Sequence, residues 1–276
     1  MIISTWPFFI SVCYLGCKKK RQVIEALYCY WSFMQNYTFI DRYFQSQNEI
    51  LDFSFSEGRD INALFTYLNN LHSTADKLKE LFDCNIKDLP EFKILRIIRN
   101  YLHHVGDVDE TRLFVTVDKD IIVSHSQHII IPFEAFAKSV KSFIDNNTVP
   151  DGHKSFKRKM DFVSKEMATI SECFDYCADL LNNMHVSCNR PSLRLDGKVY
   201  ELGFDMYKFI YNVSNIIADK CRAIDVLANK KVIAELDDTY TVSSNIGKYD
   251  VQCRLDTMPI MTIEGFIYPK KIELAI

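Results

Sequence analysis

The sequence predicts an α+β fold that is mainly α-helical. Apolar residues recur every three or four positions over most of the chain, which is the spacing of one helix face. Only 8 glycines and 7 prolines occur among 276 residues, so few positions break helices. Short β-type segments interrupt this pattern in two places, near residues 111–132 and after residue 231. We therefore expect a helical bundle with a small β insertion, followed by a second α+β region.

Composition limits the possible functions. A hydrophobic content of 48% argues against a disordered chain. The formal net charge of -3 excludes a uniformly basic nucleic-acid binder, although local basic patches remain possible. The nine cysteines are odd in number and have no framework spacing, which predicts reduced thiols in a cytoplasmic protein.

The N-terminal segment Ile2 to Cys17 is mostly apolar and is followed by the basic run 18–21. A secretory signal has its basic residues before the apolar run. The run is shorter than the roughly 20 residues of a spanning helix, and Pro7 interrupts it. We expect no stable membrane insertion here; a buried strand or helix start is favoured over a membrane-peripheral or lipidated segment.

Three helices are predicted before residue 110. The first covers about 20–47 and has a broad aromatic face, and the second covers about 59–82. The third begins near Pro90, because Asp88-Leu89-Pro90-Glu91 is a helix-start pattern. Gly106 is the expected stop.

The period then changes to that of strands. Segments 111–117, 121–124 and 128–132 predict a three-stranded meander, and a fourth helix follows to Asn146. The polar segment 146–152, with Pro150 and Gly152, predicts a linker. It divides the chain into domains 1–146 and 150–276. The second domain is expected to contain a helix over 155–184, a hairpin at Asp196-Gly197, a helix over 205–229 and a β-rich tail over 231–274.

The end of the third helix combines three groups suited to phosphate chemistry. Arg99 carries a permanent charge and can bind two phosphate oxygens at once. His103 and His104 have a reference pKa of about 6.5, so an imidazole can accept or donate a proton near neutral pH. Asn100 can orient either partner. No other stretch places such groups so close together.

The pattern Arg99-Asn100-x3-His104 resembles the signature of the HEPN superfamily, helical-bundle proteins of which many are ribonucleases. The resemblance covers about the first half of the chain and leaves residues 147–276 uncovered. It implies a HEPN-like bundle that cleaves RNA by attack of the ribose 2′-hydroxyl, with no metal and no cofactor. It also implies a homodimer, in which two copies of the motif form one composite active site. Such nucleases are often toxins or antiviral abortive-infection effectors, so an antitoxin or regulatory partner is expected.

Two questions about the motif stay open. His104 fits the family spacing, whereas His103 lies at i+4 from Arg99 on the same helical face; we favour His104, with His103 second. The helix C-terminus and nearby acidic residues predict that an imidazolium is stabilised there. Alternatively, Arg99 pairs with Glu91, Glu110 or another carboxylate and His104 only caps the helix.

Other candidate residues carry weaker signals. A basic run suited to RNA phosphates, or simply to a solvated helix face, consists of Lys154, Lys157, Arg158 and Lys159. A possible zinc set, whose spacing matches no common finger, consists of Cys173, Cys177, His185 and Cys188; we predict no metal. His125 and His128 are interpreted as ordinary strand or turn residues.

The competing function is a binding module without catalysis. A HEPN-like bundle of this kind would serve as a nucleotide or RNA sensor, an antitoxin partner or an assembly subunit. The C-terminal half would then dock the partner.

Overall fold

The computed structural model describes residues 36–51, 61–108, 110–119, 122–173, 192–195, 197–247 and 260–267. The chain forms two compact units, Met1–Thr38 and Phe39–Ile276. The apolar N-terminal run and the basic run 18–21 lie outside the described residues. Within the described residues, no helix combines the length and apolar character that crossing a bilayer requires.

Helices dominate the described part of the chain, and the predicted mainly α class of the α+β fold is confirmed. The helices are α1 (Thr38–Leu51), α2 (Ile61–Phe82), α3 (Pro90–His104), α4 (Phe133–Asn147), α5 (Phe156–Cys173), α6 (Tyr207–Arg222), α7 (Asp225–Ala228) and α8 (Lys231–Ala234), with a 3-10 turn at Val242–Ser244. The strands are β1 (Thr111–Lys119), β2 (Ile122–Pro132), β3 (Ser192–Leu195), β4 (Lys198–Glu201), β5 (Gly203–Asp205), β6 (Ile260–Thr262) and β7 (Gly265–Ile267).

Helix α3 begins at Pro90, as predicted, because proline has no N–H to leave unpaired in the first turn. Its end differs from the expected glycine stop. The N–H groups of Val105 and Gly106 both donate to the carbonyl of Tyr101, at 2.8 and 3.2 Å. Among the described glycines only Gly152 and Gly197 have a positive φ, so Gly106 does not end the helix by a left-handed turn.

The central sheet has the order β1–β2–β5, and all its pairs are antiparallel. Segments 121–124 and 128–132 were predicted as separate strands. Residues 122–132 form one strand, β2. Strands β1 and β2 therefore make a two-stranded hairpin and not part of a three-stranded meander. The third strand is β5, which comes from the far side of the predicted linker and pairs Ile130 with Asp205.

The predicted boundary between domains 1–146 and 150–276 also needs correction, because strands from both sides of it pair in one sheet. Helix α4 ends at Asn147, and a turn with Gly152 follows, as expected. However, the N–H of Phe133 donates to the carbonyl of Leu202 at 2.9 Å, and the N–H of Met206 donates to that of Ile129 at 2.8 Å. The segments before and after residues 147–149 therefore pack as one compact unit.

Helix α3 lies at the centre of this unit, in contact with α2, α4, α5 and α6. Its predicted apolar face is buried, and the buried residues are Phe92, Ile94, Leu95, Ile97, Ile98 and Tyr101. Each fully buried Ile or Leu contributes about 1.5–3 kcal/mol relative to exposure. The core fixes the rotation of α3, and hence the direction in which its polar residues point.

The described part of the C-terminal region contains less β structure than predicted. The hairpin at Asp196-Gly197 is present as β3–β4, with Gly197 at φ 80°. The helix predicted over 205–229 ends at Arg222, and the helix predicted over 155–184 is described to Cys173. Residues 231–247 form α8, turns and a 3-10 turn; among the described residues of the tail, only β6 and β7 are strands.

Side chains of α6 explain why residues 231–247 do not form a strand. The Asn212 side chain exchanges two hydrogen bonds with the backbone of Ile246, at 2.8 and 3.0 Å. Asp219 accepts from the N–H of Val242 at 2.8 Å, and Lys208 donates to the carbonyl of Gly247 at 2.8 Å. The backbone of the segment thus bonds to a helix face instead of to a neighbouring strand.

Candidate functional site

The candidate site lies where the last turns of α3 meet the second and third turns of α2. Helix α3 supplies the predicted residues Arg99, Asn100, His103 and His104. Helix α2 supplies three residues that the motif did not identify, namely Phe65, Asn69 and His72. The site therefore consists of two facing helices rather than one helix end.

Asn69 joins the guanidinium to one imidazole. Its Oδ1 accepts from Nε of Arg99 at 3.3 Å and lies 2.7 Å from Nε2 of His103. Asn100 contributes only a long contact, in which Nη1 of Arg99 donates to its Oδ1 at 3.5 Å. The structure thus brings Arg99 and His103 together through a residue that comes from α2.

This arrangement determines which nitrogen of His103 carries its proton. An N–H of Arg99 points at the same Asn69 atom, and that atom must be the carbonyl oxygen because an amide nitrogen accepts no hydrogen bond. His103 therefore donates from Nε2. In the neutral ring the lone pair is then on Nδ1, so Nδ1 is the nitrogen that can accept a proton.

The electrostatics of His103 differ from expectation. Desolvation, the Arg99 guanidinium and His104 together lower the pKa of His103 below 6.5. The prediction from the helix C-terminus and the nearby acids was a stabilised imidazolium, and for His103 it is wrong. Desolvation first, and then the positive charge of Arg99, outweigh the partial charge of the helix end.

His104 is placed differently from His103. Its side chain is exposed, and the two ring centroids lie 6.1 Å apart. In the described part of the chain, no hydrogen bond joins the His104 side chain to Arg99 or to another group. The alternative that His104 caps the helix therefore has no bond to support it, and the ring remains accessible beside His103.

Arg99 is not neutralised by a direct ion pair within the described residues. The nearby carboxylates bind other cations: Glu110 pairs with Arg112 at 3.4 Å. Glu166, from α5, pairs with Lys93 at 3.2 Å and also with Arg96. Within the described residues, the alternative pairing of Arg99 with Glu91 or Glu110 is not observed.

His72 lies one turn after Asn69 on α2 and lines a small groove together with Arg99. Its Nδ1 is buried without a hydrogen-bond partner. Desolvation and the Arg99 charge lower the pKa of His72, although Asp76 opposes the shift. His72 is therefore neutral at neutral pH, and the positive charge of this groove comes from Arg96 and Arg99.

The weaker candidates divide into accessible and structural ones. Lys154, Lys157 and Arg158 are exposed around the start of α5, and Lys159 is half-buried. Nδ1 of His128 lies 2.8 Å from the Asp205 carboxylate. That carboxylate also accepts from two backbone N–H groups, which is a structural role.

The metal prediction concerns residues of which only part is described. Cys173 is half-buried at the end of α5, whereas Cys177, His185, Cys188 and His125 lie outside the residues whose side chains are described. Among described residues, no three His, Cys, Asp or Glu side chains cluster in a way that suits a metal ion.

The sequence carries no functional signal for Phe65, which reads only as an apolar position of the second helix, or for Asn69. They are one turn apart on α2 and so share a face, but the spacing does not reveal what that face meets. No protein-family model matches the chain, and no curated protein or solved structure matches it.

Proposed function

We propose that the protein is a metal-independent endoribonuclease of the HEPN type. The observation that carries this proposal is the hydrogen-bonded set Arg99–Asn69–His103, with His104 beside it. It combines a cation free of a direct carboxylate partner in the described residues with a neutral imidazole in a fixed tautomer. These are the groups that RNA cleavage without a metal needs.

The proposed reaction begins with the ribose 2′-hydroxyl. Its proton passes to Nδ1 of neutral His103 as the 2′-oxygen forms a bond to the adjacent phosphorus. The bond from phosphorus to the 5′-oxygen breaks, and the leaving oxygen takes a proton from the imidazolium of His104. The products are a 2′,3′-cyclic phosphate and a 5′-hydroxyl. Arg99 binds the non-bridging oxygens and stabilises their charge in the transition state.

The distance between the His103 and His104 rings is compatible with one ring acting as the base and the other as the acid. Each imidazole must approach its oxygen to about 3 Å, and the two oxygens lie on opposite sides of one phosphorus atom. Ring centres 6.1 Å apart span such a group. His103 is then the base and His104, which the family spacing favours, is the acid.

The wider proposal follows the resemblance. The active form is a homodimer, and the motifs of its two copies together form the site for one RNA. The biology is that of a cytoplasmic toxin or antiviral effector held in check by an antitoxin or regulatory protein. The basic run at the start of α5 supplies further contacts to RNA phosphates.

Cleavage of RNA in EDTA tests the activity. We expect Arg99→Ala, His103→Ala and His104→Ala each to lower the rate by about 10²–10⁴-fold, the usual contribution of general acid–base catalysis. Arg42→Ala and His153→Ala are matched controls, because both side chains are exposed and lie outside the site. Equal rates for wild type, site variants and controls would refute the proposal.

A catalytically inactive HEPN-like module is the second candidate. The open position of the site favours it, since both histidines are exposed and neither lies in a closed cleft. Expression in cells separates the two candidates. Growth arrest that Arg99→Ala abolishes supports the nuclease, whereas a harmless wild type supports a sensor or antitoxin partner.

A further inference from the structure

Phe65 is a large aromatic residue that is not part of the buried core. Its side chain is 42% exposed, although α2 buries the apolar residues on its other face. Its ring centroid lies 5.1 Å from that of His103, with the planes inclined by 39°. The exposed ring is therefore in direct contact with a residue of the candidate site.

The surroundings of Phe65 favour an anionic partner. The stretch of α2 from Ile61 to Ala75 contains no Asp, Glu, Lys or Arg. The first carboxylate on the helix is that of Asp76, which bonds to Lys87. Arg99 contacts this face of α2 through Asn69, and its guanidinium carries a permanent positive charge. A phosphate at Arg99 therefore meets no carboxylate along the first four turns of α2.

We propose that Phe65 is the stacking platform for one unpaired base of a single-stranded RNA whose phosphate binds Arg99. This inference rests on the proposed ribonuclease function and names the substrate class of the same site. An aromatic face beside a cation is the arrangement with which proteins bind single strands. In an RNA duplex each base is already stacked and paired, so its face is not available to Phe65.

Phe65, Asn69 and His103 give the platform a defined position. Residues 65 and 69 lie one turn apart on α2, and His103 contacts both of them. A base on the ring of Phe65 thus lies next to the imidazole that takes the 2′-proton. Stacking at this point holds the nucleotide whose 2′-oxygen attacks.

Binding of an uncleavable oligonucleotide tests the platform. The probe is a single strand with methylated 2′-oxygens, compared with the same strand in a duplex, in EDTA, with the full chain. We expect Phe65→Leu to weaken single-strand binding about tenfold, since leucine keeps the bulk but has no aromatic face. Duplex binding stays unchanged.

Phe65→Trp is the variant that should keep binding, because tryptophan also presents an aromatic face. We expect it to keep wild-type affinity and to lose tryptophan fluorescence when the single strand binds, relative to the wild type with its 2 native tryptophans. Equal affinity of Phe65→Leu and wild type would overturn the platform. So would a Phe65→Leu effect confined to the oligomeric state, because the ring would then cover a second copy of the chain.

These outcomes separate the two proposals. A wild type that binds the single strand through Phe65 but cleaves no RNA refutes the nuclease and keeps the platform. A wild type that cleaves RNA, with Phe65→Leu unchanged in binding and cleavage, keeps the nuclease and refutes the platform.

Discussion

The side-chain oxygen of Asn69 lies 2.7 Å from Nε2 of His103, and it also accepts a hydrogen bond from Arg99. One amide on α2 thus fixes the orientation of a cation and the tautomer of an imidazole on α3. The proposed chemistry of the motif therefore involves a residue outside it.

Asn69→Ala and Asn69→Asp should change His103 in different ways. Asn69→Ala removes the acceptor at Nε2, so the neutral ring loses its preference for one tautomer. Asn69→Asp adds a negative charge and raises the pKa of His103. Nitrogen chemical shifts of the imidazole, followed against pH by NMR, report both changes. An unaltered His103 signal in both variants would contradict the hydrogen bond.

The lowered pKa of His103 also predicts a pH profile. The ring is neutral above its folded pKa, which lies below 6.5, so the base is active at neutral pH and is lost as pH falls through that value. Any stability from this shift is likewise present above 6.5 and is lost on acidification. Arg99→Gln removes the neighbouring charge and should move the His103 titration to higher pH, whereas Arg42→Gln should not.

Mixed dimers test whether two copies share one site. Arg99→Ala and His104→Ala are each expected to cleave about 10²–10⁴-fold more slowly than wild type when tested alone. After co-refolding, a composite cleft again contains one Arg99 and one His104, so cleavage should recover in part. No recovery, with mixed dimers verified by mass, would show that each chain carries its own site.

The basic run should contribute affinity rather than chemistry. Lys157→Glu with Arg158→Glu removes two exposed cations, so RNA binding should weaken and the dependence of log K on log salt should become shallower by about two. A matched control is Lys220→Glu with Lys231→Glu, which changes the same charge at other exposed positions. Equal salt slopes for both double variants would exclude the run from the RNA interface.

Glu166 should be essential for stability. Its carboxylate is 6% exposed and holds Lys93 and Arg96, which are 12% and 18% exposed. Glu166→Ala leaves two partly buried cations unpaired and should lower the free energy of unfolding by about 3 kcal/mol. Glu172→Ala, on an exposed side of the same helix, should change it by less than about 0.5 kcal/mol. Urea denaturation measures both.

Helix α3 and its polar residues were predictable because local rules determine them. Pro90 marks the start, and the apolar period identifies the face that is buried. Asn69 was not predictable, since its contact with Arg99 depends on the rotation of α2 against α3. That rotation follows from packing of the whole core.

The remaining differences have similar causes. Strand β5 has only three residues, too few for a period of two to be recognised. Segment 231–247 resembles a strand in composition, but the side chains of Asn212 and Asp219 form hydrogen bonds with its backbone. Its structure depends on side chains that lie far away in sequence.

The pairing of β2 with β5 has a consequence for folding. The Asp205 carboxylate and the N–H of Ile129 are 76 positions apart in the chain. During synthesis, the hairpin of β1 and β2 therefore leaves the ribosome long before its third strand. Closing so long a loop is a late and slow step, and α6, which covers α3, follows directly after β5. The helix that carries Arg99 and His103 reaches its final packing only when most of the chain has been made, which delays formation of the candidate site until then.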